Sequence, residues 1–117
     1  YIHVTDLAAA HVQALEKLQA APENLFLNLG TGQGYSVSNV ISMVEQVSGR
    51  AVDARKVPRR AGDPPALVAT PGLAEKTLGW TPTHSSLRSI IETALRWHEK
   101  NAQATPARSL PKAATPG

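Results

Sequence analysis

Residues 28–37, with the sequence NLGTGQGYSV, join an apolar segment to a helix through a turn that contains three glycines. In residues 25–29, leucines at alternate positions are separated by Phe26 and an asparagine, which predicts a strand with apolar side chains on both faces. After the turn, Ser36 is suited to cap a helix predicted over residues 37–48, and a glycine then ends it. These residues therefore predict a strand, a turn and a helix in that order.

The glycines superficially imitate a dinucleotide-binding fingerprint, since they follow a strand, precede a helix and have Asp53 about twenty residues downstream. The spacing is wrong, because the fingerprint needs a further glycine three places after Gly32 and that position holds Tyr35. The segment around Asp53 is also too polar for a buried parallel strand. We therefore predict a structural turn at residues 30–34 and no cofactor site there.

Elements near the chain start are predicted by local signals. Residues 1–4 have a strand-like pattern, and Thr5 or Asp6 can cap a helix over residues 7–20. His11 lies on the apolar stripe of that helix, and we interpret it as a core or boundary histidine with one hydrogen-bond partner rather than a catalytic group.

The second half of the chain contains shorter elements. Residues 52–57 and 66–69 are predicted as short strands. A short helix follows, with Thr70 as its cap and Pro71 as its first residue, and Trp80 is expected to fold back onto it. A final helix is predicted over residues 86–100.

Composition restricts the function further. The 117 residues include no cysteine, which excludes disulfides, thiolate nucleophiles and cysteine-bound zinc, and slightly favours a reducing, cytoplasmic compartment. No apolar run approaches the ~18 residues that a membrane span requires, so no membrane partner is expected. The net charge of +3 and the aromatic content of 4% argue against a nucleic-acid partner.

The chain ends are expected to differ from the body. The strand-like pattern begins at Tyr1 without a methionine, so we predict a fragment that lacks an upstream part. Residues 102–117 are rich in alanine, threonine, proline, serine and glycine and are predicted to form a disordered tail after an ordered region over residues 1–101.

Residues 58–65, PRRAGDPP, place guanidinium groups and a carboxylate in a loop whose prolines restrict the backbone. Arg59 and Arg60 present donor forks suited to phosphate oxygens, and Asp63 can accept hydrogen bonds from hydroxyls of the same ligand. The loop thus predicts a site for a phosphorylated sugar or a nucleotide. The alternatives are a solvated basic face and a non-enzymatic anion-binding or nucleic-acid-binding patch formed by Arg50, Arg55, Lys56, Arg59 and Arg60.

Four stretches together resemble the UDP-glucose 4-epimerase family of extended short-chain dehydrogenase/reductases. They are residues 1–11 (YIHVTDLAAAH), 28–37, 58–64 (PRRAGDP) and 78–82 (LGWTP), in the family's order and spacing. The resemblance implies an α/β fold, as the C-terminal substrate-binding part of an extended Rossmann-type short-chain dehydrogenase/reductase without its nucleotide-binding domain. Related nucleotide-sugar enzymes of the same superfamily, a 4,6-dehydratase or a UDP-glucuronate epimerase, are the nearest alternatives.

The family's activity implies parts that this sequence does not contain. In the family, NAD bound by the N-terminal domain takes a hydride from C4 of the sugar and returns it to the other face of a 4-keto intermediate. A tyrosine in a Tyr-x-x-x-Lys motif transfers the proton, whereas here Tyr1 is followed by Thr5 and Tyr35 by Asn39 at the lysine position. The resemblance therefore implies an inert piece of an isomerase that acts as a homodimer at full length.

The same resemblance assigns substrate-binding roles to individual residues. Arg60 matches the arginine that contacts the UDP diphosphate, and Asp63 matches the aspartate that hydrogen-bonds the nucleotide. Tyr1 matches a tyrosine that follows another substrate-binding arginine, which is outside this chain. Leu67 matches a position that lines the sugar pocket, where side-chain size bears on N-acetylated sugars; leucine is intermediate and leaves the sugar open.

Overall fold

The computed structural model describes residues 1–104 of the chain. They form α1 (Val4–Ala20), α2 (Val37–Ser48), α3 (Gly72–Leu78) and α4 (Leu87–Ala104). Helix α1 packs against α3, and α2 packs against α4. Among these helices, none combines the length and the apolar character that crossing a bilayer requires.

The predicted strands are wrong for residues 1–104, where extended segments occur but none is paired into a sheet. A strand needs a neighbour that supplies ladder hydrogen bonds, which a local pattern does not reveal. Residues 25–29 keep the predicted alternation, since the leucines are half-buried while Phe26 and Asn28 are exposed. Residues 52–57 and 66–69 are exposed throughout, and Val4 is already helical.

Helix α1 begins earlier than predicted, at Val4 instead of residue 7, because His3 rather than Thr5 or Asp6 is its cap. The backbone N–H of Thr5 donates to Nδ1 of His3 over 3.1 Å. Farther along the same helix, Nδ1 of His11 donates to the Leu7 carbonyl over 2.7 Å. His11 thus has its one expected partner, but its side chain is exposed rather than at the boundary of a core.

Helix α2 follows the prediction at both ends. The hydroxyl of Ser36 accepts from the N–H of Asn39, and the Asn39 side chain accepts from the N–H of Ser36, which forms a capping box. Gly49 is the C-terminal cap. Local chemistry within a few residues therefore sets both limits of this helix.

The two later helices shift slightly from their predicted limits. Pro71, not Thr70, is the cap of α3, and no side chain caps its first turn. The hydroxyl of Ser86 accepts from the N–H of Ser89 over 3.1 Å at the start of α4. Helix α4 continues to Ala104, past its predicted end at residue 100 and into the predicted tail, of which residues 105–117 lie outside the described part.

The core is small and lies between α1 and α3. Ala10, Ala74 and Trp80 are buried together, with Ile2, Leu27, Leu29 and Leu78 packed partly around them. Trp80 is 1% exposed, and its Nε1 donates to the Asp6 carbonyl over 2.8 Å. The expected return of Trp80 onto α3 is confirmed by this packing.

Candidate functional site

The proline-arginine loop contains a tight turn at residues 60–63. The N–H of Asp63 donates to the Arg60 carbonyl over 3.4 Å, and Gly62 has φ of 87°. The third residue of a type II turn has φ of about +80°, which side chains with a Cβ rarely adopt. Gly62 therefore lets the chain reverse so that Arg60 and Asp63 face each other.

The Arg60 and Asp63 side chains form an exposed ion pair. Nε of Arg60 donates to Oδ2 of Asp63 over 3.2 Å, and the side chains are 88% and 44% exposed. Such a pair contributes only about 0–1 kcal/mol to stability. Within residues 1–104, the two Nη groups of Arg60 make no hydrogen bond. Asp63 thus orients the guanidinium and leaves its terminal donors available for an anion.

Arg59 has a different role in the same loop. Its Nη2 donates to the Pro64 carbonyl over 3.2 Å, so this guanidinium bridges the two arms of the loop. The two arginines have similar chemistry in the sequence, and the structure separates them: Arg59 contacts the loop backbone, while Arg60 is held by a carboxylate.

Tyr1 and Val68, the neighbour of Leu67, both contact the glycine turn, which is formed by residues 30–35. The Tyr1 ring is 6.5 Å from the Tyr35 ring, between centroids, and Tyr1 is 57% exposed. Leu67 is 88% exposed, and its neighbour Val68 packs against Gly34. In the described residues, no hydrogen bond joins Arg60 or Asp63 to Tyr1 or Leu67.

Tyr35 is a residue of this region that the sequence reasoning missed. Its hydroxyl donates to Oε1 of Gln33 over 3.1 Å, and its ring meets the Tyr1 ring. The sequence signal for Tyr35 is its bulk, since a turn before a helix would also accept a small residue there. Bulk alone does not identify Tyr1 as the contact, because Tyr1 is distant from Tyr35 in sequence.

Two grooves in residues 1–104 lie apart from the four predicted site residues. A groove of about 390 Å³ is lined by α1 and residues 23–29, and another of about 550 Å³ is lined by residues 2–4 and α4. Neither groove includes Arg60, Asp63, Tyr1 or Leu67.

A buried carboxylate holds the segment that follows Tyr1, and the sequence did not predict it. Asp6 is 3% exposed and accepts hydrogen bonds from the N–H groups of Thr83 and His84 and from the Ser85 hydroxyl. Burial alone would raise the pKa of Asp6, but the hydrogen bonds from Ser85 and His84 outweigh it and hold this pKa well below its usual range. Asp6 is therefore ionised at neutral pH.

His3 connects this anchor to α4. Its N–H donates to the Ser85 hydroxyl over 2.9 Å, and Nε2 lies 2.9 Å from the Thr93 hydroxyl. Because Nδ1 accepts from Thr5, the ring hydrogen is on Nε2, which donates to Thr93. These bonds fix the segment two residues after Tyr1.

Comparison with curated proteins shows a consistent relationship. No family model matches the chain. Over 94 residues the chain is 51% identical to UDP-glucose 4-epimerase from Corynebacterium glutamicum. This match covers 80% of this chain and 28% of the relative.

Solved structures show the same relationship in three dimensions. UDP-glucose 4-epimerase from Stenotrophomonas maltophila, solved with NAD and formylated UDP-arabinopyranose, matches with a TM-score of 0.83 and 41% identity. The enzyme from Bifidobacterium longum, in complex with NAD⁺ and UDP, matches with a TM-score of 0.79 and 39% identity. Each match covers 90% of this chain and 31% of the solved chain.

The fold and these matches define the chain as a part of an extended short-chain dehydrogenase/reductase, in agreement with the predicted α/β class. Residues 1–104 themselves contain helices and unpaired extended segments. The α/β class of the chain therefore follows from the enzymes that it matches. Within it, the chain is homologous to about 30% of the length of UDP-glucose 4-epimerases, which confirms the resemblance.

Proposed function

We propose that the chain is the UDP-sugar-binding part of a UDP-glucose 4-epimerase, an isomerase that interconverts UDP-glucose and UDP-galactose with bound NAD. The observation that carries this proposal is the Arg60–Asp63 pair, held by a turn that needs Gly62, in a chain 51% identical to such an enzyme. The relative from Bifidobacterium longum, solved with NAD⁺ and UDP, supports the ligand assignment.

In this proposal the chain binds and orients the nucleotide sugar. The terminal donors of Arg60 bind diphosphate oxygens, while Asp63 keeps the guanidinium in place and hydrogen-bonds the nucleotide. Tyr1 contacts the substrate near the diphosphate, and Leu67, exposed beside the glycine turn, lines the sugar.

The residues of this chain do not fit the cofactor. A dinucleotide cradle needs open space beside its glycines, but a Cβ on Gly30 or Gly34 would lie within 3 Å of Ala69 or Val68. That space is taken by the chain itself. We infer that NAD, which supplies the hydride acceptor and donor of the reaction, is bound by another part of the full-length enzyme.

Substitution of Arg60 tests the nucleotide site. Arg60→Ala should weaken UDP binding to the 117-residue chain by about 1.5–3 kcal/mol, the scale of a hydrogen bond to a charged group. Isothermal titration calorimetry measures the change. Arg88→Ala is the matched control, because Arg88 also forms an exposed ion pair, with Glu92. Equal affinities of wild type and Arg60→Ala would reject the assignment.

We further propose that the full-length enzyme is a cytoplasmic homodimer. The absence of cysteine, in keeping with a reducing compartment, supports the location. Analytical ultracentrifugation of the full-length enzyme tests the assembly, and a monomer across the micromolar range would contradict it.

A further inference from the structure

The turn at residues 30–35, called the glycine turn below, contacts two segments that are distant in sequence. On one side it meets residues 68–69, which follow the proline-arginine loop, and on the other it meets Tyr1. The proposed function uses residues in both segments but gives the glycine turn itself no role.

The contact with residues 68–69 depends on the absence of side chains. A Cβ on Gly34 would lie 2.9 Å from Cγ2 of Val68, and one on Gly30 would lie 2.8 Å from Cβ and 3.0 Å from the carbonyl oxygen of Ala69. Real Cβ atoms essentially never come that close, so any other residue would displace the segment. Neighbouring side chains in an extended segment point to opposite sides. Because the Val68 side chain packs against the turn, the Leu67 side chain points away from it, which agrees with the exposure of Leu67.

The contact with Tyr1 depends on an aromatic ring. The Tyr1 and Tyr35 rings are tilted by 59° at a centroid distance of 6.5 Å, within the range of favourable aromatic pairs. The Tyr35 hydroxyl donates to the Gln33 side chain in the same turn, so the ring that Tyr1 meets is itself held.

We propose that the glycine turn is a positioning element that sets Tyr1 and Leu67 relative to each other around a nucleotide sugar, with Gly34 and Tyr35 as its positioning residues. This inference rests on the proposed function. It explains why a turn without a cofactor role has glycines that admit one segment and a tyrosine that contacts the other.

A pair of substitutions in the full 117-residue chain tests the role of Gly34. Gly34→Ala should displace residues 67–68 and weaken binding of UDP-glucose by about fivefold or more, the scale of coupling between contacting residues. Binding of UDP, which lacks the sugar, should weaken much less. Adding Val68→Ala to Gly34→Ala removes the clash and should restore UDP-glucose affinity. Gly72→Ala is the matched control, because a Cβ there meets nothing within 4 Å and should change neither affinity.

Tyr35 is tested with a conservative and a disruptive variant. Tyr35→Ala removes the ring that supports Tyr1 and should weaken UDP-glucose binding, whereas Tyr35→Phe keeps the ring and should bind nearly as the wild type does. Calorimetry with UDP-glucose and UDP measures all variants.

The outcomes separate this inference from the proposed function. A wild-type chain that binds neither UDP nor UDP-glucose would overturn the proposed function and the inference that rests on it. A wild-type chain that binds both, with Gly34→Ala binding them equally well, would overturn the positioning role alone. Equal losses for UDP and UDP-glucose, without rescue by Val68→Ala, would show a general disruption of the fold and also overturn it.

Discussion

At the scale of single residues, the Asp6 carboxylate has the most demanding environment in the described part of the chain. It lies in the first turn of α1 and is buried against residues 83–85. Donors on Thr83, His84 and Ser85 form hydrogen bonds with its oxygens. A buried carboxylate without such donors would favour its neutral form, whereas here the donors favour the charged form. Asp6 is therefore a link between α1 and the start of α4 that depends on its charge.

The lowered pKa of Asp6 predicts an acid-sensitive fold. Because this pKa is lower in the folded than in the unfolded chain, ionised Asp6 stabilises the fold fully above the unfolded-state pKa of about 3.9. That stabilisation should be lost as the pH falls from about 5 toward the folded-state pKa. Urea unfolding at several pH values measures it, with Trp80 fluorescence as the probe in a Trp97→Phe background.

An amide at position 6 should remove this pH dependence. Asp6→Asn lowers the free energy of unfolding at pH 7 by about 1.5–3 kcal/mol, since it replaces charge-assisted hydrogen bonds, and should flatten the acid limb. Asp53→Asn is the control, because Asp53 lies in an exposed segment. An Asp6→Asn chain with wild-type stability at pH 7 would contradict the anchoring role.

At the scale of elements, α2 is stabilised by its capping box. Ser36→Ala removes the hydroxyl that accepts from the Asn39 N–H and should cost about 1 kcal/mol. Thermal unfolding followed by circular dichroism measures the loss. Ser38→Ala serves as the control, since Ser38 is an exposed residue inside the first turn. Equal melting temperatures for the two variants would rule out a capping contribution.

The elements differ in how far the sequence predicts them, because their signals differ in range. Both limits of α2 depend on Ser36 and Gly49, which lie next to the helix, and both were predicted. The start of α1 was missed because His3 caps it through a ring nitrogen, which is not a usual capping group. The strands were wrong because pairing depends on partners that a local pattern does not identify.

The candidate site shows the same limit. The Arg60–Asp63 contact joins residues three apart, and their proximity follows from the loop sequence. The Asp6 anchor joins residues more than seventy positions apart, and the contact of Gly34 with Val68 depends on the path of all the residues between them, which include α2. Composition and spacing predict the first kind of contact, whereas the second needs the fold.

At the scale of the whole molecule, the described part buries few apolar side chains. Its buried apolar residues are Ala10, Ala74, Trp80, Leu87 and Ile91, while Val4, Val12, Leu15, Phe26 and Trp97 are among the large apolar side chains left exposed. Packing against another protein surface would remove this apolar area from water. In the proposed function, the rest of the epimerase covers it.

This arrangement predicts how activity depends on the rest of the enzyme. The 117-residue chain with added NAD should show no epimerase activity, because it has no Tyr-x-x-x-Lys motif and because residues 68–69 occupy the space beside Gly30 and Gly34. In a chimera, the aligned 94 residues should replace the corresponding 28% of the Corynebacterium glutamicum enzyme and support turnover of UDP-galactose. An NADH-coupled assay measures both, with the unmodified enzyme as positive control.

Because Arg60 binds substrate in this proposal, Arg60→Ala in the chimera should raise KM. A folded chimera without turnover would contradict the assignment.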